Sequence, residues 1–343
     1  MSSPDPARRG LLRRSLPALI GIALSVGLLA WALRDVSLSD VVGHVRTARL
    51  VPLIGAVVLA TLTFPLRLVR WRLLLRDEHG NPYPTGSLWH AVAIGFTANN
   101  LLPLRAGELI RAYTAARLTS ARFTTVISSI AVERIFDGLT VVALLTLALF
   151  SPELPADVKV GGTSVAQLAR AAGVISLLGL LVAVAVVAAP LTAERLIRGV
   201  LPHAHFADKI IDLIEGVRQG LVVLRSPARL AGVVVWSLAL WLVNGLAFFV
   251  GFSAFGIPVS YLGALVLQGL LVLGVSIPST PGFFGPFEAV IVAVLALYGV
   301  PGSLAFSYAI SFHITTFVPI TLLGLWSMVR TPGGLRVLRR SPT

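Results

Sequence analysis

The chain contains no cysteine and little charge. The absence of cysteine excludes disulfides, thiolate metal sites, cysteine nucleophiles and lipids attached through cysteine. Charged residues make up only 13 % of the sequence, about half the usual share. So few charges cannot cover a water-facing surface, which excludes an ordinary soluble enzyme. Because hydrophobic residues make up 56 %, a disordered chain is excluded as well.

Motifs of soluble catalysis and of metal binding are also missing from the sequence. It has no glycine-rich phosphate loop, no nucleophile elbow and no HExxH stretch. His203 and His205 have no further ligand nearby in the sequence, so they do not predict a metal site. We therefore expect neither a metal nor a cofactor.

Long apolar runs determine the predicted architecture, because a helix needs about 20 apolar residues to cross a membrane. Six runs approach or exceed this length: 16–33, 50–66, 126–150, 171–189, 230–252 and 307–329. Regions 88–103 and 262–298 are apolar but broken by proline and glycine, which cannot continue a helix cheaply. Each broken region predicts a helical hairpin that enters the membrane and turns back. The predicted fold is an all-α integral membrane protein with about six full spans and two re-entrant hairpins.

The first run has an alternative interpretation as a signal peptide. Four arginines precede it, and residues 30–32 resemble a signal-peptidase site. The run is longer than the apolar part of most signal peptides, which favours an uncleaved anchor.

Basic residues are distributed unevenly between the predicted loops. If the N-terminus is cytoplasmic and both broken regions are re-entrant, 22 of the 28 Lys and Arg residues lie inside and five lie outside. Arg134 lies within a span. This is a strong positive-inside pattern, and it accounts for the net charge of +13 without nucleic acid. Both termini are predicted to be cytoplasmic.

The predicted elements form a single membrane domain with an internal repeat. A basic N-terminus (1–15) precedes the domain (16–329), and a basic tail (330–343) follows it. Repeat A (16–150) and repeat B (171–329) each contain two spans, a broken hairpin and a span, and the last three elements are offset by 180, 174 and 181 residues. The halves start on opposite sides, which is the inverted-repeat pattern of many transporters. Segment 191–229 is predicted to lie along the cytoplasmic surface as an amphipathic helix.

Ionisable side chains within membrane segments are costly, so each one is a candidate functional residue. The first cluster lies at the first break and contains Asn99, Asn100, Arg105, Glu108 and Arg111. Glu108 and Arg111 have the i, i+3 spacing of an ion pair on one helix face. Arginine beside a helix start fits a phosphate. The alternative is that these arginines only neutralise glutamates in the bundle.

A second cluster, Glu133, Arg134 and Asp137, places two carboxylates on one helix face. These carboxylates can bind a cation or proton, or they can anchor Arg105 and Arg111 in an ion-pair network. The network is the simpler interpretation.

A third cluster lies at the second break and contains Pro278, Gly282, Gly285 and Glu288. Glu288 is expected to be protonated, to pair with an arginine of the first half, or to cap a helix start. His313 is expected to bond between helices.

Near the end of the second run, Arg67, Arg70, Trp71 and Arg72 have the residue types of a membrane-surface site for anionic headgroups. A plain positive-inside anchor explains them equally well.

Four motifs, in the same order, resemble the lysylphosphatidylglycerol synthase transmembrane-region family, whose members are often described as flippase-like. They are RWRLLL at 70–75, NLLPLRAGELIR at 100–111, ERIFDG at 133–138 and PSTPGFFGPFE at 278–288. The resemblance covers about residues 15–330. It implies translocation of a lipid across the membrane. Well-known family members also carry a cytosolic domain that transfers lysine to phosphatidylglycerol, and that activity is not expected here because only a short tail follows the last span.

The leading hypothesis is a lipid translocase of the bacterial cytoplasmic membrane that moves an anionic or zwitterionic phospholipid or a polyprenyl phosphate. Arg105, Arg111 and Arg134 would hold the phosphate in a cleft between the hairpins. The acidic residues that would balance these charges or bind an amino group are Glu108, Glu133, Asp137 and Glu288. The alternatives are a membrane-embedded transferase, with Glu108, Glu133 or Asp137 as general base, and an accessory subunit of a lipid-modifying synthase, which is also a candidate partner.

Overall fold

The computed structural model describes residues 21–34, 36–77, 79–102, 106–150, 159–160, 163–188, 226–275 and 280–331. The α-helices of these residues are, in chain order, α1 (Gly21–Leu33), α2 (Leu38–Thr47), α3 (Leu50–Leu74), α4 (Thr85–Leu101), α5 (Gly107–Thr119), α6 (Phe123–Leu149), α7 (Val165–Ala188), α8 (Pro227–Ala254), α9 (Tyr261–Gly274), α10 (Pro286–Leu297) and α11 (Gly302–Arg330). A 3-10 turn, Pro281–Phe283, precedes α10. Two short antiparallel strands, β1 (Lys159–Val160) and β2 (Thr163–Ser164), precede α7.

Several predicted residues lie outside the described ranges. Among them are Arg105, Pro278, the two histidines at 203 and 205, the tail 332–343 and residues 191–225 of the predicted amphipathic segment. Residues 227–229 of that segment belong to α8.

Among the described helices, α3, α8 and α11 are long and apolar enough to cross a membrane. Helices α1 and α2 meet at 81° and pass the same criterion as a bent pair, which gives up to four spans by length and composition. The predicted runs within α3, α6, α7, α8 and α11 are all helical. The helical membrane fold is thus confirmed, whereas six spans, the repeat and the orientation stay predictions.

Helix starts follow from local chemistry. Helices α8 and α10 begin at proline, whose fixed φ and missing N–H are tolerated in the first turn. Helix α9 is capped by Ser260, whose Oγ accepts a hydrogen bond from the backbone N–H of Gly263 at 3.3 Å.

Region 88–103 does not form a hairpin by itself, because α4 covers nearly all of it as one helix. The antiparallel hairpin consists of α4 and α5, and α5 lies in the segment 104–125 that was predicted to be a cytoplasmic loop. Gly95 of α4 lies opposite Arg111 of α5, and the backbone N–H of Gly107 donates to Asn99 Oδ1 at 2.9 Å. A Cβ atom at Gly107 would collide with the carbonyl oxygen of Gly95, so the two backbones approach more closely than a side chain would permit.

The second broken region also forms an antiparallel hairpin, α9 followed by α10. Gly274 lies opposite Val290, and Gly263 lies opposite Tyr298. The 3-10 turn between the two helices lies against α4. The tip of the second hairpin therefore contacts the first hairpin.

Packing between the two halves is reciprocal. Helix α8 packs along α3, helix α6 packs on α9 of the second hairpin, and helix α11 packs on α4 of the first. Gly324 of α11 lies directly against Thr97 and the backbone of Ala93. This packing brings α3, α5, α6 and α8 together around the candidate site.

Candidate functional site

A buried cluster of ion pairs lies where α3, α5 and α6 meet. Arg67 and Arg70 belong to α3, and Arg111 belongs to α5. Helix α6 supplies Arg134 and the two buried carboxylates, Glu133 and Asp137. The pairs at i, i+3 on α3 and at i, i+4 on α6 place their side chains on facing sides of the two helices.

Glu133 is the centre of this cluster, and its side chain is fully buried. Arg111 binds it through two parallel contacts, Nη1 to Oε1 and Nη2 to Oε2, each at 2.9 Å. Oε1 also accepts from Arg67 Nη1 at 2.9 Å and from Arg134 Nη2 at 2.8 Å. Arg70 Nη2 lies 3.3 Å from the same oxygen. One carboxylate thus neutralises part of the charge of four arginines.

Asp137 lies one turn after Glu133 on α6 and binds arginines on the same face of that helix. Its Oδ1 accepts from Arg70 Nη1 at 2.6 Å and from Trp241 Nε1 of α8 at 2.9 Å. Its Oδ2 lies 3.3 Å from Arg67 Nη1 and 2.9 Å from Arg134 Nη2. Every buried carboxylate oxygen of the cluster therefore has at least one donor, as a buried charge requires.

Neutral side chains hold the arginines in place. Arg70 Nη1 also donates to Ser237 Oγ of α8 at 2.9 Å. The guanidinium of Arg111 lies 3.8 Å from the ring centroid of Trp71, whose Nε1 donates to Ser129 Oγ at 3.0 Å. Planar guanidinium groups stack well on aromatic faces, so this contact orients the two-pronged bond to Glu133.

One edge of the cluster is accessible. The side chain of Arg134 is 41 % exposed and that of Glu108 is 42 % exposed, and the long 3.6 Å contact between Arg134 Nε and Glu108 Oε1 joins them. In the described part of the chain, four arginines face three carboxylates, which leaves one net positive charge. Within the same residues, the Nε atoms of Arg70 and Arg111 have no hydrogen-bond acceptor. The cluster therefore carries one net positive charge and buried donors without acceptors, and Arg134 and Glu108 form its accessible edge.

In the sequence, the simpler interpretation of Glu133 and Asp137 is an ion-pair network that anchors Arg105 and Arg111. The geometry agrees with this interpretation for Arg111, which binds Glu133. The predicted pair between Glu108 and Arg111 is wrong. Arg111 binds Glu133, and Glu108 pairs with Arg134. Both partners are available because α6 packs beside α5.

The predicted surface position of Arg67, Arg70 and Trp71 is also wrong. Helix α3 does not end near Pro65 but continues to Leu74, and all three side chains are buried inside the bundle. Arg72 is half-buried, and its Nε has no hydrogen-bond acceptor among the described residues.

The two asparagines of the first break stabilise the hairpin and its contact with α11. Asn99 caps α5 through Gly107, whereas Asn100 Nδ2 donates to Thr321 Oγ1 at 2.9 Å. Thr97 Oγ1 donates to the carbonyl oxygen of Thr321 at 3.2 Å. These polar contacts attach α11 to the hairpin.

At the second break, Glu288 pairs with His313 of α11, not with an arginine. Oε1 of Glu288 lies 2.6 Å from His313 Nδ1, and its Oε2 accepts from the backbone N–H of Gly285 at 2.7 Å. His313 Nε2 lies 2.8 Å from the carbonyl oxygen of Gly282. The helix-cap alternative for Glu288 is confirmed, and so is the expectation that His313 bonds between helices.

Two glycines shape this second break. Gly282 and Gly285 have φ of +71° and +97°, in the region that favours glycine. A Cβ atom at Gly285 would collide with the backbone of Ser25 in α1, and Ser25 Oγ in turn accepts from the backbone N–H of Thr280 at 3.0 Å.

Sequence reasoning missed Trp241 and Ser237, which bond to the cluster from α8. Neither has a charge, and they lie in an apolar run 104 and 100 residues from Asp137, so no local signal marks them. In the described residues, no three His, Asp or Glu side chains converge as metal ligands.

Comparison with known proteins identifies the family. Residues 18–324 match the family described as lysylphosphatidylglycerol synthase TM region. The chain belongs to this family. It is a multi-pass membrane protein, in agreement with its apolar helices.

Two relatives extend this result. "Glycosyltransferase AglD" of Haloferax volcanii is 27 % identical over 353 residues, which cover 94 % of this chain and 55 % of the relative. The chain therefore spans about half the length of that protein. A "UPF0104 membrane protein" of Methanothermobacter thermautotrophicus is 24 % identical over 275 residues, which cover 76 % of this chain and 77 % of the relative.

Proposed function

We propose that the protein is a lipid translocase of the bacterial cytoplasmic membrane that moves a phosphate-bearing lipid, either a phospholipid or a polyprenyl-linked lipid. The observation that carries this proposal is the buried arginine cluster with one net positive charge and an accessible edge at Arg134 and Glu108. A phosphate accepts charge-assisted hydrogen bonds from guanidinium groups and would neutralise the surplus charge.

The geometry at the edge supports entry of a headgroup. The contact between Arg134 and Glu108 is the longest ion pair of the cluster, at 3.6 Å, and both side chains are partly exposed. Such pairs contribute little stability, so a phosphate can replace Glu108 as the partner of Arg134 at small cost. Arg111 lies behind Arg134 and shares Glu133 with it, and we propose that Arg105 completes the site. The acyl chains stay in the lipid.

The architecture supports an alternating mechanism. The hairpins contact each other through the 3-10 turn and α4, and the last long helix of each half packs on the hairpin of the other half. Reciprocal packing is expected of an inverted repeat with cytoplasmic termini, in which one half moves against the other around a fixed site.

A second function, transfer of a group onto or from a lipid-linked sugar, is favoured by the similarity to the relative named a glycosyltransferase. In this chain the oxygens of Glu133 and Asp137 are occupied by arginine donors, which leaves Glu108 as the accessible carboxylate for a general base. A lipid-modifying synthase remains a candidate partner under either function.

The test is translocation of fluorescent phospholipids in proteoliposomes. We expect wild type to move lipid and Arg134→Ala to move it about 10- to 100-fold more slowly, because one charged hydrogen-bond partner contributes about 1.5–3 kcal/mol. Arg117→Ala is the matched control, since Arg117 is an exposed arginine outside the cluster. If wild type were inert in this assay but formed product from a labelled lipid-linked donor, the transferase function would replace the proposal.

A further inference from the structure

The Glu288–His313 pair is a buried titratable group that the arginine cluster does not use. Glu288 is fully buried and His313 is 5 % exposed. In the described part of the chain, the hydrogen bonds of their side chains are those with each other, with Gly282 and with Gly285.

The hydrogen bonds of the pair show how many protons its two side chains carry. The carbonyl oxygen of Gly282 can only accept, so Nε2 of His313 carries a hydrogen. Oε2 of Glu288 accepts from the N–H of Gly285. At 2.6 Å, Nδ1 of His313 and Oε1 of Glu288 must share one proton, because two facing lone pairs would repel. Whether this proton resides on nitrogen or oxygen, the pair is neutral overall and holds one proton that it can lose.

Losing that proton would leave an uncompensated negative charge in the bundle. The rings of Phe284 and Phe287 stack on both sides of the imidazole, at centroid distances of 4.4 and 4.2 Å. Water is therefore excluded from the two faces of the ring, and a bare carboxylate there is costly. Proton loss would weaken the contact between Nδ1 and Oε1.

The contact joins parts of the molecule that the proposed mechanism moves. It attaches α11 to α10 of the second hairpin, and the turn that precedes α10 lies against α4. Eight residues further along α11, about 12 Å at the usual rise, Thr321 bonds to Asn100 of the first hairpin. A change at His313 therefore acts on the boundary between the two hairpins.

Other ionisable groups on the surrounding elements do not bond to the pair. They are Asp40, His44 and Arg46 on α2, Arg67, Arg70 and Arg72 on α3, His90 on α4, Arg229 on α8, Tyr261 on α9, and Tyr308 and Arg330 on α11. His44 lies 3.5 Å from Ser307 Oγ on α11, six residues from His313.

We propose that Glu288 and His313 form a proton-binding site that couples proton movement to lipid translocation. With its proton, the pair holds the second hairpin turn on α11. When the proton passes to water, the hydrogen bond between Nδ1 and Oε1 is lost, which separates α10 from α11 at this point, while Nε2–H still donates to Gly282. The proton site rests on the geometry alone, whereas the coupling rests on the proposed function.

The Glu288→Gln variant tests the proton without removing the hydrogen bonds of the pair. A glutamine oxygen can accept from Gly285, its NH₂ group can donate to Nδ1, and Nε2–H can still donate to Gly282. The variant keeps three hydrogen bonds but has no carboxyl group that can gain or lose a proton. His44→Gln is the control, because it removes a neighbouring histidine outside the pair.

The first readout is ¹⁵N NMR of histidine-labelled protein across pH, with His313 assigned by loss of its signal in His313→Gln. We expect the ring nitrogens of His313 to report a single protonation step in wild type and none in Glu288→Gln. Identical signals of His313 in both proteins at every pH would overturn the proton site.

The second readout is the distribution of lipid between leaflets in proteoliposomes with an imposed pH difference. One proton per lipid predicts about a tenfold lipid asymmetry per pH unit in wild type and in His44→Gln, and none in Glu288→Gln. Equal distribution in wild type that still moves lipid would overturn the coupling alone. If wild type moved no lipid at all, the proposed function and the coupling would both fail, and the NMR titration would still decide the proton site.

Discussion

Glu133 shows at the scale of one residue how a membrane protein retains buried charge. Its two oxygens accept from Arg111 in a two-pronged bond and also serve Arg67 and Arg134. A buried ion network of this kind adds little net stability when intact, because desolvation offsets the attraction. Removal of its central charge takes from Arg111 its acidic partner among the described residues and leaves Arg67, Arg70 and Arg134 to share Asp137.

Glu133→Ala is therefore expected to destabilise the protein by about 3–5 kcal/mol, because four arginines lose their shared acceptor. The measurement is unfolding of purified protein in detergent, followed by fluorescence. Glu108→Ala is the comparison, and its partly exposed pair predicts a loss of about 0–1 kcal/mol. Equal losses for the two variants would show that Glu133 does not organise the cluster.

Individual residues also show which features the sequence predicts. The i, i+4 spacing of Glu133 and Asp137 predicted that both carboxylates share one helix face, and both bind arginines from there. The sequence places their partners Arg67 and Arg70 at the membrane surface, because charged residues usually end an apolar span. Only the packing of α3 against α6 shows that the charges neutralise each other inside the bundle.

At the scale of elements, the two broken regions were the strongest sequence signal for the fold. Proline and glycine mark both breaks. Region 262–298 is an antiparallel hairpin as predicted, whereas region 88–103 is the single helix α4, which forms its hairpin with α5 beyond the predicted bound. The ends of α3 were not predictable in the same way, since Pro65 lies inside the helix, which continues for nine further residues. The partner of Glu288 was also beyond local patterns, because His313 lies 25 residues away on another helix.

The first hairpin depends on close backbone contact at Gly107. Gly107→Ala would place a methyl group against Gly95 and Asn99, and we expect a loss of about 1–3 kcal/mol from overpacking. Gly138→Ala is the matched control, because no atom lies within 4 Å of its added Cβ, and alanine at such a helical position is expected to stabilise by about 0.4–1 kcal/mol. Thermal unfolding of both variants in detergent tests this, and a Gly107→Ala protein as stable as Gly138→Ala would contradict the hairpin contact.

At the scale of the whole molecule, the distribution of positive charge predicts the orientation in the membrane. The loop after α3 is predicted to be cytoplasmic, and the short hairpin of β1 and β2 is predicted to lie outside. Because the natural chain has no cysteine, single cysteines can be introduced without removing others.

We expect His79→Cys to react with a membrane-impermeant maleimide only after the cytoplasmic side is opened, and Thr163→Cys to react in intact cells. Both positions are exposed, so neither label is blocked by burial. Labelling of both from the same side would contradict the predicted orientation and the inverted repeat that depends on it.

The central claim is that Arg134, at the accessible edge of the arginine cluster, recognises the phosphate of a translocated lipid. The most direct measurement compares two fluorescent lipids with the same acyl chains in proteoliposomes, phosphatidylglycerol and a neutral glycolipid without phosphate. We predict that wild type and Arg117→Ala move phosphatidylglycerol faster than the glycolipid, and that Arg134→Ala slows phosphatidylglycerol about 10- to 100-fold while it changes the glycolipid little. Equal rates for both lipids in wild type, or an equal effect of Arg134→Ala on both, would contradict the claim.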